Sequence, residues 1–160
     1  YGETYGLPIL ISNCSNNYGP HQYPEKLIPL AIKRFHQRQP VPVYGDGKNV
    51  RDWLYVKDHV EAIDLLFHEG EIGETYNVGG ECEKRNIDLI TEISFLVDDL
   101  LGRPFGDSQQ YITFVTDRPG HDRRYAIDCT KLKNLGWVRK SEWSQSLRET
   151  VEWYLEGALV

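Results

Sequence analysis

At 160 residues, with 40% hydrophobic and 26% charged side chains, the chain has the size and composition of one globular domain rather than of a disordered segment. A net charge of −6 excludes nucleic-acid binding through a broad basic face, but not a local cluster of cations around one small phosphorylated ligand. No apolar run approaches the ~20 residues needed to span a bilayer, and no signal peptide opens the chain. The three cysteines, Cys14, Cys82 and Cys129, lie far apart without a C-x-x-C pair. That spacing fits the reduced thiols of a cytoplasmic protein better than a disulfide framework or a zinc site.

In chain order, Leu7 to Ser12 is a short, nearly continuous apolar run, the pattern of a parallel strand covered on both faces. Six residues precede it, too few to supply the neighbours that a parallel strand needs. Methionine is absent and the chain opens Tyr1-Gly2-Glu3, so the expectation is a fragment that starts within a sheet. Asn13 to Pro20 is dense in turn formers. Pro24, with Glu25 behind it, is placed to start a helix whose apolar face is Ile28, Ala31, Ile32 and Phe35. Val41-Pro42-Val43-Tyr44 predicts an edge strand because of its proline, and Gly45-Asp46-Gly47 a tight turn. Asp58 and Glu61 have capping-box spacing ahead of Ala62, Ile63, Leu66 and Phe67, and Gly70 closes that helix.

Thr75 to Val78 predicts another short strand, and Ile87 through Leu100 a longer amphipathic helix that Gly102 terminates. Tyr111 to Val115 reads as a strand. Leu147, Val151, Tyr154 and Leu155 mark a last helix with Ser144 at its N-cap. Strands and helices interleave without repeats, which is an α/β or mixed α+β pattern.

Three polar clusters carry candidate chemistry. Asn16 and Asn17 read first as turn residues, because Asn bonds its own main chain, and only second as ligand groups. Arg51-Asp52 reads as a surface ion pair, or Arg51 as a phosphate clamp whose planar fork matches two oxygens. Asp117-Arg118-Pro119-Gly120-His121-Asp122-Arg123-Arg124-Tyr125 follows a strand and is either a ligand loop or a solvated one. No G-x-G-x-x-G, P-loop, G-x-S-x-G or H-E-x-x-H occurs. Tyr44 and Lys48 have Tyr-x-x-x-Lys spacing, but the glycine turn between them excludes a helical catalytic pair.

Taken together, Ser15 to Pro20, Pro24 to Pro29, Gly45-Asp46-Gly47 with Arg51 to Val56, Tyr76 to Gly80, and Asp117 to Tyr125 resemble the dTDP-glucose 4,6-dehydratases. These are extended short-chain dehydrogenases/reductases, and the resemblance runs from about Tyr5 to the last helix. It implies an α/β fold: the last strand of a truncated Rossmann-like parallel sheet plus a smaller mixed α/β substrate-binding domain. Residues 1–15 are then a remnant of the NAD-binding Rossmann domain, and residues 16–160 the nucleotide-sugar-binding domain.

The resemblance implies NAD as cofactor, held mainly by a half that this sequence lacks. The glycine loop, Tyr-x-x-x-Lys and Asp-Glu pair belong to that half, so no catalytic residue is assigned and no turnover is expected of this chain alone. It also implies that Asn16 contacts the sugar or its phosphate, and that Asn17 lies beside the nicotinamide. Glu25, Lys26 and Leu27 meet the hexose diphosphate; Pro42, Val43 and Tyr44 line the thymidine pocket. Arg51 binds the diphosphate, Asn86 the nucleotide, and the loop of Asp117, Arg118, Pro119, Gly120 and His121 closes over the phosphates. The implied ligand is dTDP-glucose, and the implied assembly of a full-length family member is a homodimer. Two other readings stay open: another extended member acting on a UDP-sugar, and a non-catalytic nucleotide-sugar-binding module.

Overall fold

The extended segment near the start of the chain changes partners halfway along. In the computed structural model, which describes residues 1–158, β1 (Ile11–Cys14) pairs in parallel with β5 (Thr75–Val78). One residue later, β2 (Asn16–Tyr18) runs parallel to β4 (Val50–Tyr55), with Asn16 opposite Trp53. Ser15 is the junction. Its N–H donates to the Val78 carbonyl at 3.0 Å, and its Oγ accepts the Gly80 N–H at 3.3 Å. β4 also carries β6 (Glu83–Arg85), antiparallel, and the two-residue β8 (Arg124–Tyr125), parallel. A separate parallel pair joins β3 (Val41–Tyr44) to β7 (Ile112–Val115).

The helices are α1 (Gly2–Tyr5), α2 (Leu27–His36), α3 (Val56–Glu69), α4 (Asn86–Leu100), α5 (Thr130–Asn134) and α6 (Trp143–Trp153), with a 3₁₀ turn at Asp107–Tyr111. Mixed α/β architecture with parallel strands is what the sequence led us to expect. Two apolar cores hold it together. The larger packs Ile28, Ile32 and Phe35 of α2 against Val41 and Val43 of β3, Ile90 and Ile93 of α4, and Leu147 and Val151 of α6. The smaller sits between Ala62 and Leu66 of α3, Tyr76 and Val78 of β5, and Leu54, Leu132 and Trp137. Each large side chain buried this way contributes roughly 1.5–3 kcal/mol of transfer free energy.

The tight turn before β4 depends on Gly47. Its φ of +68° is left-handed, and a Cβ there would lie 2.8 Å from Val43 Cγ1 and 2.9 Å from Ile87 Cβ. Gly80 is required by closeness instead: a Cβ would stand 1.8 Å from the Trp53 carbonyl oxygen.

Several expectations need correction. Leu7 to Leu10 is not regular strand; β1 begins at Ile11 and, among the described residues, has β5 as its one neighbour. Leu7, Ile9 and Ile11 are exposed, while Leu10 packs on the smaller core. α2 starts at Leu27 rather than Pro24, because Tyr23 to Lys26 closes a turn first (Lys26 N–H to Tyr23 carbonyl, 3.0 Å). Pro29 then falls in the first turn, where a missing N–H costs no helical bond. Asp58 and Glu61 form no capping box, since β4 runs directly into α3 and Asp58 is already inside the helix. Its buried carboxylate instead accepts the Lys140 and Ser141 N–H groups, at 3.0 and 3.2 Å, and the Ser141 hydroxyl. Ile63 and Phe67, expected inside, are 48% and 82% exposed. Glu142 caps α6 rather than Ser144, its carboxylate accepting the Gln145 N–H at 2.9 Å. Among the described residues no helix is long and apolar enough to cross a membrane, and the three cysteines are free thiols.

Candidate functional site

Strand alternation and two helix N-termini aim polar side chains at one cavity of about 340 Å³. Asn16 of β2 forms part of its wall, with Glu25 and Lys26 of the turn before α2, and Leu27 and Leu30 on that helix. Pro42 and Tyr44 face it from β3, Arg51 and Trp53 from β4, and Asn86 from the start of α4. Arg118 and His121 complete it from the loop after β7. The two-residue period of a strand explains these pairs: Pro42 and Tyr44 share one face, Arg51 and Trp53 another.

The same period takes Val43 away. Its side chain is 1% exposed within the larger core, so it is not on the wall. Asn17 likewise points away from Asn16. Its Oδ1 accepts from His59 Nδ1 at 2.7 Å, and its Nδ2 donates to the Ser15 carbonyl at 3.1 Å and Cys14 Sγ at 3.2 Å. Burial pushes the His59 imidazole below its ordinary pKa, which favours the neutral ring as donor to Asn17. The Asn17 carboxamide is thus bonded within the protein, to Cys14, Ser15 and His59.

Asp117, Pro119 and Gly120 lie off the wall and shape the loop. Asp117 Oδ1 accepts from His121 Nδ1 at 2.7 Å and from the Arg118 N–H at 2.9 Å. The His121 bond leads in holding the Asp117 carboxyl below its usual range. Two of the loop's arginines are anchors rather than ligand groups: Arg123 pairs with Asp46 at 2.9 Å, and Arg124 with Glu83 at 2.7 Å.

Arg51 is not half of an ion pair with Asp52. Asp52 is 2% exposed and points the other way, accepting the Gly80 and Cys82 N–H groups. The Arg51 guanidinium donates to two main-chain carbonyls, Val50 at 2.7 Å and Asp122 at 2.9 Å. Among the described residues, Lys26, Arg51 and Arg118 have no carboxylate within 4.0 Å. Three cations without carboxylate partners face one cavity on an acidic protein, an arrangement suited to a diphosphate. Leu30 and Trp53 were missed from sequence. Each was recoverable from periodicity, Leu30 three residues beyond Leu27 on a helix and Trp53 two beyond Arg51 on a strand.

A fold of parallel strands and helices around such a cavity has known counterparts. The family model for GDP-mannose 4,6 dehydratase matches residues 1–150, and the chain belongs to that family. Within it, the chain is similar to dTDP-glucose 4,6-dehydratases, as the sequence motifs led us to expect. It is 58% identical over 158 residues to a probable dTDP-glucose 4,6-dehydratase of Sinorhizobium fredii, covering 97% of this chain and 44% of the relative. It is 54% identical over 157 residues to the dTDP-glucose 4,6-dehydratase of Xanthomonas campestris, covering 97% of this chain and 45% of that one. The solved dTDP-glucose 4,6-dehydratase of Streptomyces venezuelae, with NAD bound, superposes with a TM-score of 0.87 at 40% identity, covering 98% of this chain and 47% of that chain. The chain thus spans under half the length of these relatives.

Proposed function

We propose that this chain is the nucleotide-sugar-binding part of an NAD-dependent dTDP-glucose 4,6-dehydratase, a cytoplasmic lyase that is a homodimer when whole. The observation that carries the reading is the convergence of Lys26, Arg51 and Arg118 on one cavity, without carboxylate partners among the described residues. A diphosphate supplies the anionic oxygens that these cations leave unmatched. Pro42 and Tyr44 offer an apolar wall for a base, and Asn16, Glu25 and Asn86 offer hydrogen bonds for sugar and nucleotide.

The change of sheet at Ser15 supports a boundary there between an NAD-binding part and the substrate part. β5, which pairs with β1, and α3, which shares the smaller core with β5, go with the NAD side in this reading. NAD, an acid and a base are supplied by the length of the relatives that this chain does not cover, so binding and not turnover is assigned here.

Calorimetric titration of the chain with dTDP and with UDP tests the proposal. dTDP is expected to bind, and Arg118→Ala to weaken it. Equal affinity for UDP would broaden the substrate class to nucleotide sugars at large; no binding of either would remove the site reading altogether.

A further inference from the structure

Asn49 is 2% exposed, yet its side chain makes a single hydrogen bond: Nδ2 donates to the Asp122 carbonyl at 3.1 Å. That carbonyl is the same one that receives the Arg51 guanidinium at 2.9 Å. The Asn49 carbonyl accepts the Asn86 N–H at 3.0 Å, at the start of α4, and the next residue's N–H, that of Val50, donates to the Arg123 carbonyl at 2.8 Å. One buried residue therefore touches β4, the N-terminus of α4 and the loop that carries Arg118. Its Oδ1 is buried with no partner among the described residues. A carboxamide with half its capacity desolvated and unpaired is a poor way to gain stability. It is a good way to fix one carbonyl at one place.

We infer that Asn49 is a positioning residue for the diphosphate end of the cavity, an inference that rests on the nucleotide-sugar reading above. It gives the Asp122 carbonyl a second, buried donor beside Arg51, so that the loop does not pivot about the guanidinium and Arg118 is held facing the same ligand as Arg51. With the amide donor gone, Asp122 remains bonded to Arg51 alone. The Arg123 and Arg124 anchors still hold the far end of the loop, but its Arg118 side is then tied to β4 through Asp122 by one long side chain, and Arg118 loses its fixed direction toward the phosphates. Asn49 itself is not on the cavity wall.

A double-mutant cycle on dTDP affinity separates this role from general support. The proteins are the unaltered chain, Asn49→Ala, Arg118→Ala and the double variant, each titrated with dTDP by calorimetry. Urea unfolding of every variant gives the folded fraction used to correct its affinity. Asn49→Ala is expected to weaken dTDP by about fivefold or more, and to change it by less than about twofold once Arg118 is already alanine. Asn49→Ser, whose hydroxyl falls one bond short of Nδ2 and so does not reach the Asp122 carbonyl while keeping a polar side chain, repeats the cycle should the alanine variant not fold. Equal losses in both backgrounds, or no loss in the unaltered one, overturn the positioning role while leaving the site reading intact. An Arg118→Ala chain that binds dTDP as well as the unaltered one sinks the site reading, and this inference with it.

Discussion

Asp52 of β4 holds Gly80 across the fold: its Oδ2 accepts the Gly80 N–H at 2.9 Å, and its Oδ1 accepts the Cys82 N–H at 2.7 Å. Gly80 also presses on the Trp53 carbonyl and gives its own carbonyl to Arg139 at 2.8 Å. The turn after β5 is thus fastened to the strand that presents Arg51. Removing the carboxylate leaves the Cys82 N–H unsatisfied and the Gly80 N–H with only its longer 3.3 Å bond to Ser15 Oγ, at about 1–3 kcal/mol for an unsatisfied buried group. Asp52→Ala is expected to cost about 1–3 kcal/mol, read as a lower urea midpoint at unchanged slope. Asp52→Asn should lose less, since its amide oxygen still accepts one of the two bonds. An alanine variant as stable as the parent would mean that water replaces the carboxylate there.

Arg51 should matter to binding far more than to folding. Its guanidinium touches two carbonyls from within the protein and keeps edges free toward the cavity. Arg51→Ala is expected to weaken dTDP binding by ~1.5–3 kcal/mol, the range for a charge-assisted bond. Arg51→Lys should recover only part, because an ammonium cannot fork two oxygens. Calorimetry across the three proteins decides it; equal affinities would make Arg51 merely a brace for the Asp122 carbonyl.

How far the sequence alone reaches is visible in particular residues. The faces of α2 and α4 were legible because Ile28, Ile32 and Phe35, and Ile90, Ile93 and Val97, keep helical spacing and all are buried. The strand β4 was not, although three other strands pair with it. Arg51 and Asp52 at its centre carry charge in opposite directions, one to the cavity and one to the Gly80 turn, so its pattern resembles a polar loop. Asp58 misled in a different way: capping-box spacing is local, whereas its partners Lys140 and Ser141 lie far along the chain. At the site, the motifs placed Arg51, Arg118 and Lys26 on one wall. The direction of Val43 and Asn17 follows from strand pleat, which motif likeness does not carry.

Acid should release the loop that carries Arg118 before it unfolds the rest. Arg123 hydrogen-bonds Asp46 and, with the Lys48 N–H, lowers the Asp46 carboxyl from 3.8 to about 2. Glu83, bonded by Arg124, is also lowered. A carboxyl whose folded pKa lies below its unfolded one contributes stability that is complete above about pH 4 and is lost as pH falls through about 2. The pair is exposed and so contributes little to global stability. The expected outcome is local, a carbon NMR titration of Asp46 with a midpoint near 2. A midpoint at the ordinary carboxylate value would mean that Arg123 does not dock on the turn.

The outer surface of α3 and the segment leading into β1 should make the isolated chain self-associate. Phe67 is 82% exposed and Ile63 48%, and they line a cavity of about 360 Å³ with Pro8, Ile9 and Ile72. Beside them, Ile11 is 53% exposed on a strand that, among the described residues, has a partner along one edge only. A contiguous apolar surface next to a strand edge with free donors and acceptors invites edge-to-edge pairing. The chain is therefore expected to show concentration-dependent association in sedimentation velocity. Ile63→Lys with Phe67→Lys should reduce it, because both side chains already point outward and their replacement leaves the inward pair, Ala62 and Leu66, in place. The melting temperature should move little for the same reason, whereas Leu66→Ala should lower it by about 4–12 °C through roughly 2–3 kcal/mol of lost core packing. A parent chain that stays monomeric at high concentration would show that the exposed face is too dispersed to act as one patch. A doubly substituted chain that still associates would move the contact to the free edge of β1, where Ile11→Lys is the next substitution to make.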